Sequence, residues 1–397
     1  MLEFIDKKKD CTGCGACLNV CPVDAITMHK DEEGFFYPYA DENCIDCGEC
    51  RQACPLASEK SFAFPDFEQQ AFAAVTKSKE TWKASSSGGV FTEICKAFGD
   101  DDTVIFGAAF DGLKVRHSYV TGRQHIGIFR KSKYVQSDIG TCYRDVSKHL
   151  KKNRYVIFSG TPCQVAGLKN YLGRDYDRLL SIDFICHGVG SPGVFNSFLD
   201  YLEAKYNSRI VSYTFRVKKV LLGNFALHTS RYVFENQKPV YAEVDEYNRL
   251  FLNQLCLRPS CAENCQFRSS NRFSDLTMAD FKRRDKIFPK VSDYRNYSTL
   301  IVNSKKGNKV LKGIESNMAI RPCPMEHVKR FNPLFDSTRP GNPLRDEFFK
   351  DFADGMTFQE LVKTYTTPAI KPNALRWLKR MIPYKFKRWI NRIGETS

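Results

Sequence analysis

The chain has 397 residues, of which 42% are hydrophobic and 26% are charged, and its formal net charge is +15. It is about two to three times as long as a common single domain, and its composition excludes a disordered or membrane-spanning chain. The N-terminal MLEFIDKKKD lacks the apolar core of a secretion signal, so we expect a cytoplasmic protein.

Sixteen cysteines are unusual in a chain without an export signal. Structural disulfides rarely persist in the reducing cytoplasm, so metal or redox chemistry is favoured over a disulfide scaffold. Iron–sulfur clusters would also reduce the apparent basicity of the chain, because each cluster held by four thiolates adds a charge of roughly −2.

Two cysteine runs near the N-terminus share the pattern C-x2-C-x2-C-x3-C-P. In ferredoxin-type 4Fe-4S domains, three thiolates of such a run bind one cluster and the fourth binds the other cluster. Two zinc sites are the alternative, but zinc prefers paired C-x2-C knuckles. We therefore predict a two-cluster domain over residues 1–60 and a linker over residues 61–70. The predicted ligands are Cys11, Cys14, Cys17 and Cys54 for one cluster, and Cys21, Cys44, Cys47 and Cys50 for the other.

Beyond the linker, β-rich runs alternate with helical patterns, which predicts a mixed α/β domain over residues 71–330. The fold class is therefore a small α+β ferredoxin-like domain followed by a larger α/β domain. A serine-glycine loop at 85–89 precedes a helical run at 90–98, and such a loop can hold the phosphates of a nucleotide cofactor. The predicted strands lie at 71–75, 103–110, 154–160 and 179–186.

Five cysteines of the α/β domain are candidates for a third cluster. Cys163 and Cys186 each follow a predicted strand, where α/β proteins place ligand contacts. Three more lie in the dense segment CLRPSCAENC at 256–265, which favours metal ligation over packing. The predicted ligands are Cys163, Cys186, Cys261 and Cys265, with Cys256 as the substitute.

These segments together resemble the beta-subunit family of coenzyme F420 hydrogenases and dehydrogenases, over residues 1 to about 330. The resemblance is carried by SSSGGVFTEI at 85–94, KYVQSDIG at 133–140, GTPCQVAGLK at 160–169, DFICHGVGSPGVF at 183–195, and RPSCAENCQF with SDLTMADF between 258 and 281.

The resemblance implies a non-Rossmann domain that binds FAD beside a 4Fe-4S cluster. It implies that electrons pass from ferredoxin-type clusters to FAD and on to an organic substrate or to the deazaflavin coenzyme F420. It also implies a redox partner, either a ferredoxin or a subunit of a hydrogenase or dehydrogenase. Carried over by position, the candidate flavin contacts are Ser87, Gly88, Gly89, Lys133, Tyr134, Ser137, Thr161 and His187.

Residues 331–397 form a predicted C-terminal extension, in which the segment 371–392 holds eight Lys or Arg and no acid. This segment fits either peripheral contact with the inner membrane face or a solvated terminal helix, and no nucleic-acid module is recognisable. Two further functions stay open. The chain could be a non-catalytic electron-transfer subunit of a hydrogenase or formate dehydrogenase, or a reductase accessory to cell-surface polysaccharide biosynthesis.

Overall fold

A computed structural model describes residues 1–58, 64–218, 228–236, 238–263, 265–288, 295–337 and 340–366. We call residues 1–58 the head and residues 64–366 the body. The strands are β1 (Ile26–Lys30), β2 (Phe36–Ala40), β3 (Gln70–Thr76), β4 (Val104–Asp111), β5 (Lys114–Thr121), β6 (Val156–Ser159), β7 (Leu179–Phe184), β8 (Ile210–Thr214), β9 (Thr229–Phe234), β10 (Val240–Glu243), β11 (Leu276–Asp280), β12 (Ser298–Val302) and β13 (Met318–Cys323).

The helices of the head are short, and those of the body are mostly longer. They are α1 (Ala16–Val20), α2 (Glu49–Ala53), α3 (Lys79–Ala84), α4 (Val90–Ala97), α5 (Cys142–Lys151), α6 (Pro162–Leu172), α7 (Pro192–Tyr206), α8 (Glu246–Leu252), α9 (Pro259–Ala262), α10 (Arg284–Ile287), α11 (Lys305–Ile314), α12 (Met325–Phe331), α13 (Arg345–Ala353) and α14 (Phe358–Tyr365). None of these described helices is long and apolar enough to cross a membrane.

The body is built on an eight-stranded sheet with the order β13-β3-β12-β11-β7-β6-β4-β5. Its four central strands, β11, β7, β6 and β4, run parallel, and the remaining pairings are antiparallel. The runs β6 and β7 are apolar and almost wholly buried, as expected of strands covered on both faces. The four strands predicted from the sequence are β3, β4, β6 and β7, so the prediction of a mixed α/β body is confirmed.

The parallel strands bring three chain segments to one edge of the sheet. The carboxyl ends of β6, β7 and β11 meet there, which is the usual place for ligands in open α/β sheets. Helix α6 starts directly after β6, because Thr161 caps it through the Gln164 amide and Pro162 occupies its first turn. This local geometry holds Cys163 in the first turn of α6 at the sheet edge.

A second, three-stranded antiparallel sheet, β10-β9-β8, packs against α7 and α8 through an aromatic core. Phe198 of α7 contacts Phe358 of α14 at a ring-centroid distance of 5.2 Å. The described part of the predicted C-terminal extension therefore packs on the body. The basic segment 371–392 lies outside the described residues.

The head has the ferredoxin-like arrangement expected from its cysteine pattern, with the β1-β2 hairpin and helices α1 and α2. It is joined to the body by buried polar contacts. Asn19 donates to the Gly140 carbonyl at 2.8 Å, and Arg144 donates to the Asn19 carbonyl at 2.7 Å. The largely buried side chains of Glu33 and Arg345 form an ion pair between the two parts. The head is thus packed firmly on the body.

Candidate functional site

The cysteines predicted to hold one head cluster converge on the side of the head that faces the body. Burial, followed by the charges of neighbouring thiolates, raises the pKa values of Cys14 and Cys17. The charges of Cys11 and Cys54 contribute to both shifts. Cys54 of the second repeat therefore lies among the first three cysteines of the first repeat. We call Cys11, Cys14, Cys17 and Cys54 the inner head site.

The other predicted set lies at the surface of the head. Cys44 and Cys47 are exposed, and the pKa of Cys50 is raised by burial and by the charges of those two thiolates. The apolar side chain of Ile45 beside them is 60% exposed. We call Cys21, Cys44, Cys47 and Cys50 the outer head site. Its loop also carries exposed acidic residues, namely Asp41, Glu42, Asp46 and Glu49.

The third predicted set, which we call the body site, lines one cavity at the carboxyl edge of the sheet. This cavity has an empty volume of about 510 Å³ including its mouth, and it is lined by Cys163, Cys186, Cys261 and Cys265. Burial raises the pKa values of Cys163 and Cys186, and the charges of Cys261 and Cys265 raise both further. Four thiolates here would repel one another strongly without a compensating cation.

Unsatisfied donors in the cavity wall match the chemistry of an iron–sulfur cluster. Arg268 Nη1 and Ser260 Oγ are buried and have no hydrogen-bond partner within the described residues, and both residues line the cavity. The backbone amides of Gly188 and Val189 favour the thiolates of Cys186 and Cys261. Hydrogen bonds of this kind stabilise cluster sulfurs and thiolate ligands, so the residues fit a cluster.

Two further observations concern the choice of metal and of ligand. Among the described residues, no three His, Cys, Asp or Glu side chains are arranged to hold a single metal ion. That geometry differs from a cluster, in which each thiolate binds its own iron. Cys256, the substitute ligand of the prediction, lies outside the cavity lining and is fully buried beside Tyr247.

The body site is adjacent to the inner head site. A Cβ atom placed on Gly167 of α6 would lie 3.0 Å from Cys14 Sγ, so this helix packs directly against a thiol of the head. The Tyr143 hydroxyl lies 2.7 Å from the Cys14 carbonyl and 2.8 Å from the Gln164 carbonyl, which joins the two sites. The charge of Cys14 also acts on Cys163.

Burial, followed by cations that include Lys282, lowers the pKa of His187, the residue after Cys186 of the body site. Lys282 belongs to a group of positive side chains that we call the cationic cluster: Lys131, Arg216, Lys218, Lys282 and Arg295. Arg216 pairs with Asp280 at 2.9 Å, and it donates to the Ser86 carbonyl at 3.3 Å. Lys218 donates to the Trp82 and Ser87 carbonyls, both at 2.6 Å, and lies over the Trp82 ring. The segments 219–227 and 289–294, which border this cluster in the chain, lie outside the described residues.

Burial and nearby positive charges shift the pKa values of side chains in and around this cluster. Burial, followed by the repulsion of Arg216, lowers the pKa of Lys218 to about 6 and that of His228 to about 4. Burial opposes ionisation of Asp280, but Arg216 holds the pKa of that carboxyl below its ordinary value. His228 Nδ1 is buried and has no hydrogen-bond partner in the described part of the chain. Among the described residues of this region, the positive side chains outnumber the carboxylate of Asp280, which favours an anionic ligand.

Three of the predicted flavin contacts lie beside the cationic cluster. Ser87 provides a carbonyl to Lys218, and its hydroxyl favours the ionised form of Asp280. Tyr134 lies next to Arg216 and stacks on Phe251 with a centroid distance of 4.6 Å. The ring of His187 lies 3.1 Å from the Phe251 carbonyl, and its charge acts on His228. The His187 carbonyl accepts from Arg268 of the body site.

The other five lie in the serine-glycine loop, in the loop before Tyr134, and in or near the wall of the body site. The Gly88 amide donates to Ser298 Oγ, and a Cβ there would meet backbone atoms of neighbouring strands, so this loop packs on the sheet. Gly89, with φ 88°, precedes α4. Lys133 donates to backbone carbonyls, and burial lowers its pKa to about 7. Ser137 accepts from Gln164, and Thr161 lines the body site. The Ser132 amide donates to Ser86 Oγ at 2.8 Å, so the loop of Lys133 and Tyr134 contacts the serine-glycine loop.

Sequence reasoning missed three buried or half-buried cations. Arg216 and Lys218 stand on alternate positions after β8, and Arg258 lies between the head and the body site. The alternation Arg216-Val217-Lys218 is the one local signal for the first two, and it is common in surface strands. The sequence holds no comparable signal for the burial of Arg258.

Comparisons with known proteins agree with this division of the chain. Residues 10–58 match the family described as 4Fe-4S dicluster domain, and residues 153–327 match the family described as the C terminus of the beta subunit in coenzyme F420 hydrogenase/dehydrogenase. An uncharacterized ferredoxin of Methanocaldococcus jannaschii is 42% identical over 38 residues, which are 10% of this chain. The match spans about half of that relative, 49% of its length.

Among solved structures, the chain is similar to a chain of the F420-reducing [NiFe] hydrogenase complex from Methanosarcina barkeri. The likeness covers 76% of this chain and 93% of the other, with 14% sequence identity and a TM-score of 0.40.

Proposed function

We propose that this chain, whose residues 153–327 match the coenzyme F420 hydrogenase/dehydrogenase beta-subunit family, is an iron–sulfur flavoprotein that carries electrons between a protein partner and an organic substrate. A deazaflavin of the coenzyme F420 type is the substrate that the family description suggests. The observation that carries the proposal is the position of the body site, which lies between the inner head site and the cationic cluster.

The head is the part of the chain that exchanges electrons with the protein partner. Its 4Fe-4S dicluster domain has an outer site with exposed thiols and an inner site that is buried against the body. Exposure brings the outer head site within reach of a redox partner, whereas the inner head site faces α6 and the body site. We therefore expect electrons to be exchanged with the partner at the outer head site, beside Ile45.

The body site is suited to hold a third cluster, with Cys163, Cys186, Cys261 and Cys265 as the ligands. The unsatisfied Arg268 and Ser260 donors provide hydrogen bonds that a buried cluster requires. His187 follows Cys186 directly, and its charge also acts on His228 beside the cationic cluster. His187 therefore links the body site to the cationic cluster.

The cationic cluster is suited to the phosphates of FAD. Arg216 and Lys218 donate to the carbonyls of Ser86 and Ser87, and a bound phosphate would favour the protonated form of Lys218. Ser87, Tyr134 and His187 lie beside the cationic cluster and are the predicted contacts that we retain for the flavin. A bound flavin can take up electrons singly and deliver them as a pair, which links one-electron carriers to hydride chemistry.

The second candidate function is an electron-transfer subunit whose partner holds the substrate site. The exposed thiols of the outer head site support it, because an electron-transfer subunit needs a site where a protein partner can approach its cluster. The flavoprotein of the first proposal should contain FAD, whereas the electron-transfer subunit should contain none. The accessory role in polysaccharide biosynthesis depended on the basic segment 371–392, which lies outside the described residues.

Anaerobic purification, with iron, sulfide and released flavin measured per chain, tests the proposal. About twelve irons and one FAD are expected for three clusters and a flavin. Lys218→Gln should lower flavin occupancy at least about tenfold with iron content unchanged, since it removes an amine that a bound phosphate would hold in its protonated form. Lys309→Gln, at an exposed position of α11, is the matched control. About eight irons and no flavin would refute both the body cluster and the flavin, and would leave the electron-transfer subunit.

A further inference from the structure

A single fully buried arginine connects the inner head site with the body site. Arg258 is 0% exposed. Its Nε donates to the Cys11 carbonyl at 2.8 Å, one terminal nitrogen donates to Gln136 Oε1 at 3.1 Å, and the other lies 3.5 Å from Cys11 Sγ. Its own carbonyl accepts from the amides of Cys261 and Ala262, which closes the α9 turn that carries the body-site thiol of Cys261.

This guanidinium has no carboxylate partner among the ion pairs of the described residues. It lies over the rings of Tyr37 and Phe35, at 4.1 and 5.5 Å. The attraction of aromatic faces for a desolvated cation is smaller than the cost of burying an unpaired charge. The remaining negative charge must come from the neighbouring thiolates and the clusters that they hold.

We propose that Arg258 is the internal counter-charge of the inner head site and that it raises the reduction potential of this site. Reduction adds one electron, hence one negative charge, while the guanidinium keeps its proton and its position. The guanidinium therefore stabilises the reduced state of the inner head site, which favours transfer of electrons from the outer head site. Arg258 is a positioning residue here, since it acts through Cys11.

The two cysteine repeats differ at the position that admits this arginine. Gly13 has φ 67°, and a Cβ there would lie 3.1 Å from Arg258 Cζ and 2.3 Å from Gln136 Nε2. The equivalent residue of the second repeat is Asp46, which also has a positive φ of 48° and lies in the exposed loop beside Cys44. One repeat thus has room for a buried cation, and the other carries an acid. Both differences shift the two potentials apart in the same direction.

The experiment is an EPR-monitored redox titration of the whole, cluster-loaded chain. Arg258→Gln should disfavour reduction of the inner head site at least about tenfold, which is 59 mV for one electron, and should leave the outer signal unchanged. Arg258→Lys, which keeps the charge, should restore part of the shift. Asp46→Asn is the matched control, and it should instead move the outer signal upward.

Gly13→Ala keeps the arginine but pushes it from Cys11, so a smaller downward shift is expected even if Arg258→Gln fails to fold. Unchanged potentials in Arg258→Gln or Gly13→Ala with full iron content would overturn the inference. The inference rests on the head clusters of the proposed function, and its test is independent of the body cluster. Eight irons in the wild type would refute the proposed relay, yet the head potentials would still report on Arg258.

Discussion

Replacing Cys163 by serine should remove the iron of the body site and leave the head loaded. The cavity offers four thiols, and a 4Fe-4S cluster needs all four. We therefore expect a loss of about four of about twelve irons per chain, or one third of the total. Serine preserves the size of the side chain, and α6 retains the cap formed by Thr161 and Gln164.

Cys256→Ser is the matched control because Cys256 is the other cysteine that the sequence offered as a ligand. It is fully buried beside Tyr247, and burial raises its pKa to about 12. This variant should keep its iron and should lose about 1–2 kcal/mol of unfolding free energy, the cost of a hydroxyl in an apolar position.

The assay is iron and sulfide per chain after anaerobic purification, together with urea denaturation. If Cys256→Ser lost a third of the iron while Cys163→Ser kept all of it, the ligand set derived from the cavity would be wrong. If both variants kept eight irons and the wild type also held eight, the body site would hold no cluster.

Three other predictions follow from contacts of the described residues. Tyr143→Phe should lower the unfolding free energy by about 1–3 kcal/mol, because its hydroxyl links the inner head loop to α6; denaturant titration checks this. In the folded, ligand-free chain the pKa values of Lys133 and Lys218 lie near 7 and 6, below about 10.4 in the unfolded chain. At these two lysines the unfolded chain binds more protons between these limits, so both lysines should add stability as the pH rises from 7 to 9. The unfolding free energy should therefore depend on pH with a less positive slope in Lys218→Gln than in the unchanged chain, and equal slopes would contradict this. Glu42→Gln should slow reduction by a cationic viologen about twofold at low salt and have no effect at high salt; Asp101→Asn, on a distant exposed turn, should leave the rate unchanged.

The head was predictable because its information is local. The spacing from Cys11 to Cys54 determines the loops that grip a cluster, and the buried runs of β6 and β7 similarly determine their strands. Thr161 is a typical N-cap residue and Pro162 is favoured in the first turn, so together they mark the start of α6. These features depend on neighbours within a few residues, and the sequence alone was sufficient for them.

Long-range packing determines which repeat is buried and which cysteines meet. Cys163, Cys186 and Cys261 are brought together because β6 and β7 are adjacent and parallel and the α9 turn folds back over their ends. Local spacing specifies two equivalent cysteine runs, but the body covers one of them and leaves the other in solvent. Burial, and the placement of Arg258 beside Cys11, depend on surfaces that are about 250 residues apart in the chain, and no local spacing encodes that contact.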